Sequence, residues 1–142
     1  MYRKRKTKKR YNPDKTRKSL YSKSKPCPFC DDKAKPKYQG KYIKVLDNIY
    51  SYDFWEMSRV KDHLMAIPMR HVESLSELND KEKIEMIEVL AKYEKQGYNI
   101  YAREKDNKIK TVPHYHVHLI KIESKKPRAF LFIRKPYFTW KY

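Results

Sequence analysis

The sequence predicts an α+β domain, a mostly antiparallel sheet with one main helix. Three observations carry that expectation. Short runs of aromatic and β-branched residues recur on both sides of residue 80, a single stretch of helical period lies between them, and there is no internal repeat. With 142 residues the chain has length for one modest hydrophobic core.

The first 25 residues hold 12 Lys and Arg against Asp14 alone, a net +11. Tyr2, Tyr11, Leu20 and Tyr21 are too few and too scattered to bury a face against that charge, so residues 1–25 read as a disordered basic arm. The remainder carries +7 of the total +18. Such a field favours polyanionic partners: nucleotides, nucleic acid or an anionic surface. Compositional drift toward Lys and Tyr is the competing explanation.

Folding is expected from Pro26 onward, with residues 26–123 as the domain and residues 124–142 as a basic, aromatic extension. Tyr42 to Leu46 and Ile49 to Phe54, joined by the turn signal Asp47-Asn48, read as a hairpin. His63 to Ile67 reads as a strand closed by Pro68. Asn79 followed by Glu82 is a capping signature, and Ile84, Ile87, Leu90 and Ala91 then form an apolar stripe that Gly97 ends, predicting a helix over 80–95. Tyr98 to Arg103 and His114 to Ile122 read as strands separated by the polar turn 104–110, and Ala129 to Ile133 as one more.

No apolar run approaches the roughly 20 residues needed to span a bilayer, and the N-terminal charged stretch lacks the apolar segment of a secretory signal. A cytoplasmic protein without membrane association is expected. In a reducing compartment, Cys27 and Cys30, two residues apart, point to a metal site, a redox pair or reduced thiols rather than a stapling disulfide. A redox pair has least support, because no βαβ pattern places the first thiol at a helix N-terminus.

The densest chemical signal is His114-Tyr115-His116-Val117-His118-Leu119-Ile120. Side chains alternate faces along a strand, so three imidazoles line one surface while Tyr115, Val117 and Leu119 pack on the other. Imidazole serves as nucleophile, acid, base or metal ligand near neutral pH, so aligned copies can divide those tasks. A His-rich strand that binds metal adventitiously is the bland alternative.

This alternation resembles the signature of the histidine-triad (HIT) family. The segment from Asp62 through Pro68, Arg70 and His71 to Leu78 resembles the family's strand, proline, basic residue, histidine and helix lead-in, and Gly97 to Glu104 resembles the strand before the triad. The likeness covers roughly residues 27–122 and implies a HIT-like fold. It also implies a nucleotide-binding protein, a nucleotidyl hydrolase or transferase in which the middle histidine, His116, attacks an α-phosphate to form a nucleotidyl-histidine. His118 would donate to the phosphate, and Thr111 stands where the family often has a hydroxyl contacting phosphate. Zinc-containing bacterial members imply a structural Zn2+ held by Cys27, Cys30, His71 and His114, which leaves His63 as a packed or surface residue. A homodimer is inherited expectation.

Two departures stand out. Ile109-Lys110 replaces the family's common Gly-Gln, with Pro113 directly before the triad, and Arg103 stands where many members have asparagine. Lys110 and Arg103 can still bind phosphate, as cations rather than neutral donors. The competing reading is a zinc-stabilised nucleic-acid-binding module that uses the basic termini on RNA or DNA with little or no catalysis.

Overall fold

The computed structural model describes residues 27–31 and 34–124, together with the backbone of residues 130–134 and 137–141. The expected basic arm, residues 1–25, lies outside the described residues.

The strands are β1 (Tyr38–Gln39), β2 (Ile43–Asp47), β3 (Phe54–Trp55), β4 (Ser58–Pro68), β5 (Asn99–Ala102) and β6 (Val117–Ile122), and the helix α1 (Asp80–Glu94) lies between β4 and β5. Their antiparallel order is β1-β2-β4-β6-β5, with β3 paired to the start of β4. The long central β4 lets one strand hydrogen-bond β2, β3 and β6. Two further strands, β7 (Phe130–Arg134) and β8 (Tyr137–Lys141), form a separate antiparallel pair, so the strand expected over Ala129 to Ile133 is present.

The hairpin expected from Tyr42 to Phe54 is not formed. β2 pairs with β4 instead, from Ile43 opposite Pro68 to Asp47 opposite Leu64, and residues 48–53 form a loop. Phe54 instead opens the β3–β4 hairpin, closed by Glu56 and Met57 with φ of 47° and 63°. Two successive positive φ values are what a tight two-residue turn requires, and here they are adopted without glycine.

Each sheet face has its own cluster. Ile43, Val45, Leu64, Ala66, Tyr115, Val117 and Leu119 pack under α1 with Met86, Val89 and Tyr93. On the opposite face, Leu46, Met65, Ile67, Phe29 and Val112 form a second, smaller cluster. The odd-even alternation of β2, β4 and β6 thus sends one set of side chains to the helix and the other to the functional side.

α1 begins where expected. Asn79 accepts from the Glu82 N–H at 3.0 Å while the Glu82 carboxylate accepts from the Asn79 N–H at 2.8 Å, a complete capping box. Arg70 adds a fork to both Glu82 oxygens (2.9 and 2.7 Å) and donates to the Glu77 carbonyl at 2.7 Å, which fixes the segment after β4 to the helix start. The far end closes as a Schellman motif: Tyr98 N–H bonds the Tyr93 carbonyl, Gly97 N–H bonds that of Glu94, and Gly97 takes φ 84°. Of the stripe expected from the sequence, only Leu90 packs against the core. Glu82, Met86, Val89 and Tyr93 are buried, whereas Ile84 and Ile87 are 60% and 63% exposed. Gly40 permits a close approach between sheet and helix, since a Cβ there would collide with the Glu85 carboxylate that accepts from the Tyr42 and Ile43 N–H groups.

Candidate functional site

The Cys27-Pro28-Phe29-Cys30 knuckle is a turn closed by a Cys30 N–H to Cys27 carbonyl bond of 3.0 Å. It brings both thiols against His71, which follows β4, and His114, which leads into β6. Among the described residues, the ligand atoms of these four lie within 4.8 Å of one another. His114 Nδ1 is 3.5 Å from each sulfur, and His71 Nδ1 is 3.4 Å from Cys30 Sγ. In a tetrahedral zinc site with ordinary Zn–S and Zn–N bonds, the S···N edge is about 3.6 Å. The spacing fits. So does the tautomer: His114 Nε2 faces the Pro68 carbonyl at 3.0 Å, and because a carbonyl only accepts, Nε2 holds the proton and Nδ1 presents its lone pair to the thiols. His114 is fully buried, and burial, with His71 adjacent, pushes its imidazole down to about 4. The four residues can hold a metal ion.

Beside this cluster the second sheet face opens into a cavity of about 620 Å³ including its mouth. Phe29, Val112, Tyr52, Arg103 and His118 line it, with His116 and Thr111. Phe29 belongs to both sites, since its ring lies edge-on to His114 and His116 at centroid distances of 5.9 and 5.3 Å.

His116 Nδ1 donates to the His114 carbonyl at 2.8 Å, which leaves the lone pair on Nε2. Burial pushes this imidazole down to about 4, and the charges of Lys110 and Arg103 act in the same direction. His116 is therefore an uncharged imidazole at neutral pH.

His118 sits in a closed ring of contacts. Its Nδ1 is 3.0 Å from His63 Nε2, and its Nε2 is 3.0 Å from an Arg103 nitrogen. The other end of the guanidinium donates to the Tyr52 hydroxyl at 2.7 Å, and the Tyr52 N–H donates to His63 Nδ1 at 3.2 Å. The guanidinium also lies over the Tyr101 ring. These contacts fix the positive charge of Arg103 in the cavity lining beside His118, where an anionic oxygen would be well received.

The candidate residues fall into place unequally. Cys27, Cys30, His71 and His114 converge, and His116, His118, Thr111 and Arg103 line one cavity. Lys110 lies behind it: 7% exposed, it donates to the Glu73 carbonyl at 2.8 Å, and burial pushes its ammonium pKa down. The expected face alternation holds, although regular strand begins only at Val117. Sequence reasoning did not single out Tyr52 and assigned His63 no more than a packed or surface role. No local motif marks either, because their contacts span 51 and 55 residues of chain.

Solved structures share this fold. A HIT family hydrolase from Legionella pneumophila is 20% identical over 70% of this chain and 94% of that one, with a TM-score of 0.51. One from Clostridium thermocellum is 19% identical over 73% and 96%, with a TM-score of 0.55. A histidine triad nucleotide-binding protein from Candida albicans is 19% identical over 69% and 76%, again at 0.55. The likeness establishes the class: this is the histidine-triad fold. The family model described as "Protein similar to CwfJ C-terminal" matches residues 14–135, and the chain belongs to that family. No curated protein matches it.

Proposed function

We propose that the protein is a nucleotidyl hydrolase or transferase acting at an α-phosphate through His116. The observation that supports this most is the His116 tautomer: Nδ1–H is held by the His114 carbonyl, so the Nε2 lone pair belongs to a ring lining a cavity that also holds the Arg103 guanidinium. In the proposed step that lone pair forms a P–N bond as the bond from phosphorus to the leaving group breaks, and the leaving oxygen, or the nitrogen of a phosphoramidate, departs with the bonding electrons, the amine taking up a proton from solvent. Water or another acceptor then attacks the phosphorus. The acceptor's proton is released and the electron pair returns to Nε2. His118, Arg103 and Thr111 would bind the phosphoryl oxygens, while Lys110 contributes positive charge from behind. The apolar ring of Phe29 suits a nucleobase. The Candida relative is named a nucleotide-binding protein, and two others are named hydrolases, which favours this reading.

Cys27, Cys30, His71 and His114 would hold zinc. Four protein ligands close the tetrahedron, so the ion supplies folding energy and a fixed Phe29 rather than chemistry. A homodimer is supported by Ile84, Ile87 and Ile100, which are 60%, 63% and 46% exposed, the last on edge strand β5. Among the described residues no helix is long and apolar enough to cross a membrane.

The test is turnover of adenosine and guanosine phosphoramidates, dinucleoside polyphosphates and adenylated DNA ends by wild type and His116→Ala. Activity lost in the variant supports the proposal. No turnover by either, with equal RNA binding, would favour the nucleic-acid-binding module instead.

A further inference from the structure

The C-terminal extension is the feature that the catalytic reading leaves unused. From residue 124 to residue 142 it carries six Lys and Arg, six aromatic residues and no acid. Among the described residues its two strands, β7 and β8, pair only with each other and with no strand of the six-stranded sheet. A two-stranded hairpin is marginal in water and persists by burying one face.

The register divides this hairpin into two unlike faces. Phe130 stands opposite Lys141, Phe132 opposite Thr139 and Arg134 opposite Tyr137. Residues directly opposite one another lie on the same side of a sheet, and alternate residues along a strand do too, so these six share one face. Leu131 with Trp140 and Ile133 with Phe138 share the other. The second face is wholly apolar, the composition a hairpin buries to be stable. The first combines three aromatic residues, two cations and a hydroxyl. Cations do not suit a buried face, and a merely solvated face has no need of Phe130, Phe132 and Tyr137. Aromatic positions interleaved with cations, about 7 Å apart at alternate residues of a strand, suit a platform on which bases stack while phosphates are neutralised. Lys125, Lys126, Arg128 and Lys135 add charge in the same segment with no acid to offset it.

We propose that the face of β7–β8 carrying Phe130, Phe132, Arg134, Tyr137, Thr139 and Lys141 is a docking surface for single-stranded nucleic acid. Stacking on these rings needs bases free of a partner strand, which a duplex does not offer. The wholly apolar set lies on the face opposite the cations, so a lipid surface cannot engage both at once. The surface lies outside the triad cavity, and it stands or falls whether or not His116 is a nucleophile.

The test uses the full chain and the fluorescence anisotropy of a labelled oligouridylate of about 12 nucleotides, within the site sizes of stacking platforms. Phe132→Ala and Tyr137→Ala should each weaken binding about tenfold, while Phe132→Tyr and Tyr137→Phe should keep most of the affinity. Arg134→Gln combined with Lys141→Gln should flatten the slope of log affinity against log salt by about 1.4, the share of two phosphate contacts, whereas the ring variants leave the slope unchanged. Melting temperature reports whether each variant folds, and the salt slope of the glutamine pair decides the matter if an alanine variant does not. The matching deoxyoligomer separates the sources: tighter binding of the ribose form assigns the surface to RNA, and equal or tighter binding of the deoxy form to DNA as well. Unchanged affinity in both alanine variants, an unchanged salt slope in the glutamine pair, or tighter binding of a duplex of the same length would overturn the proposal. So would binding to phosphatidylserine–phosphatidylcholine vesicles that the ring variants abolish while oligonucleotide binding persists.

Discussion

The guanidinium of Arg103 lies 3.0 Å from Nε2 of His118 and reaches the Tyr52 hydroxyl with its other end. Arginine only donates, so His118 Nε2 accepts from it, and the guanidinium's positive charge is fixed beside His118 in the cavity lining. Arg103→Ala should therefore weaken nucleotide binding by about 1.5–3 kcal/mol, the range for hydrogen bonds to charged groups, or roughly 10- to 150-fold. Arg103→Lys should recover only part of this, because an ammonium cannot bridge His118 and Tyr52 as a fork. Calorimetric titration with AMP and with a dinucleoside polyphosphate checks both.

Below neutrality the buried imidazoles govern stability. His114 and His116 have folded values near 4 against 6.5 for the ordinary side chain, with burial the leading cause in each. A depressed folded value means that the unfolded chain binds more protons between pH 6.5 and 4. Stability from these groups is complete above about pH 6.5 and falls as pH drops toward 4. Metal coordination at His114 Nδ1 acts in the same direction. Melting temperature should decline across this window, and the acid limb of turnover should lie well below pH 6.5. A melting temperature flat from pH 7 to 4.5 would contradict the burial of these rings.

Metal content should be one zinc per chain, released by chelation and reduced by Cys30→Ser. Phe29 stands between the two cysteines and walls the cavity, so stripping the metal should weaken nucleotide binding as well as lower the melting temperature. Metal analysis with parallel nucleotide titration of intact and chelated protein measures both. Full nucleotide affinity after metal loss would separate the two sites.

The helix start makes a folding prediction. Asn79→Ala removes one half of the capping box and should cost about 1 kcal/mol. Glu82→Ala should cost more, since it removes the other half and also leaves Arg70 without its fork. Urea denaturation ranks the two. The opposite, exposed stripe predicts assembly: Ile87→Glu should convert a dimer into a monomer in light scattering without changing the fold.

What was legible in the sequence follows from the range of the interactions. The triad and the helix cap are written in residues two to four apart; the cap formed as read, and the triad kept its face alternation although regular strand begins only at Val117. The Ile49 to Phe54 run has strand composition, but its tyrosines serve the cavity, with Tyr50 and Tyr52 in the lining, so aromatic content there reflects a site rather than a sheet. In α1, two apolar stripes share one helical period, and periodicity alone does not say which faces the sheet. The β2–β4 and β4–β6 pairings decide that, and they are long-range. The His63–His118 contact is of the same kind.

The central claim is that His116 carries the nucleotidyl group. Intact-mass analysis after brief incubation with an adenosine phosphoramidate and an alkaline quench, followed by peptide mapping, tests it most directly. The account predicts one adenylyl adduct, located on His116 and absent from His116→Ala. Turnover without an adduct in wild type that persists in His116→Ala, or an adduct on another residue, would contradict it.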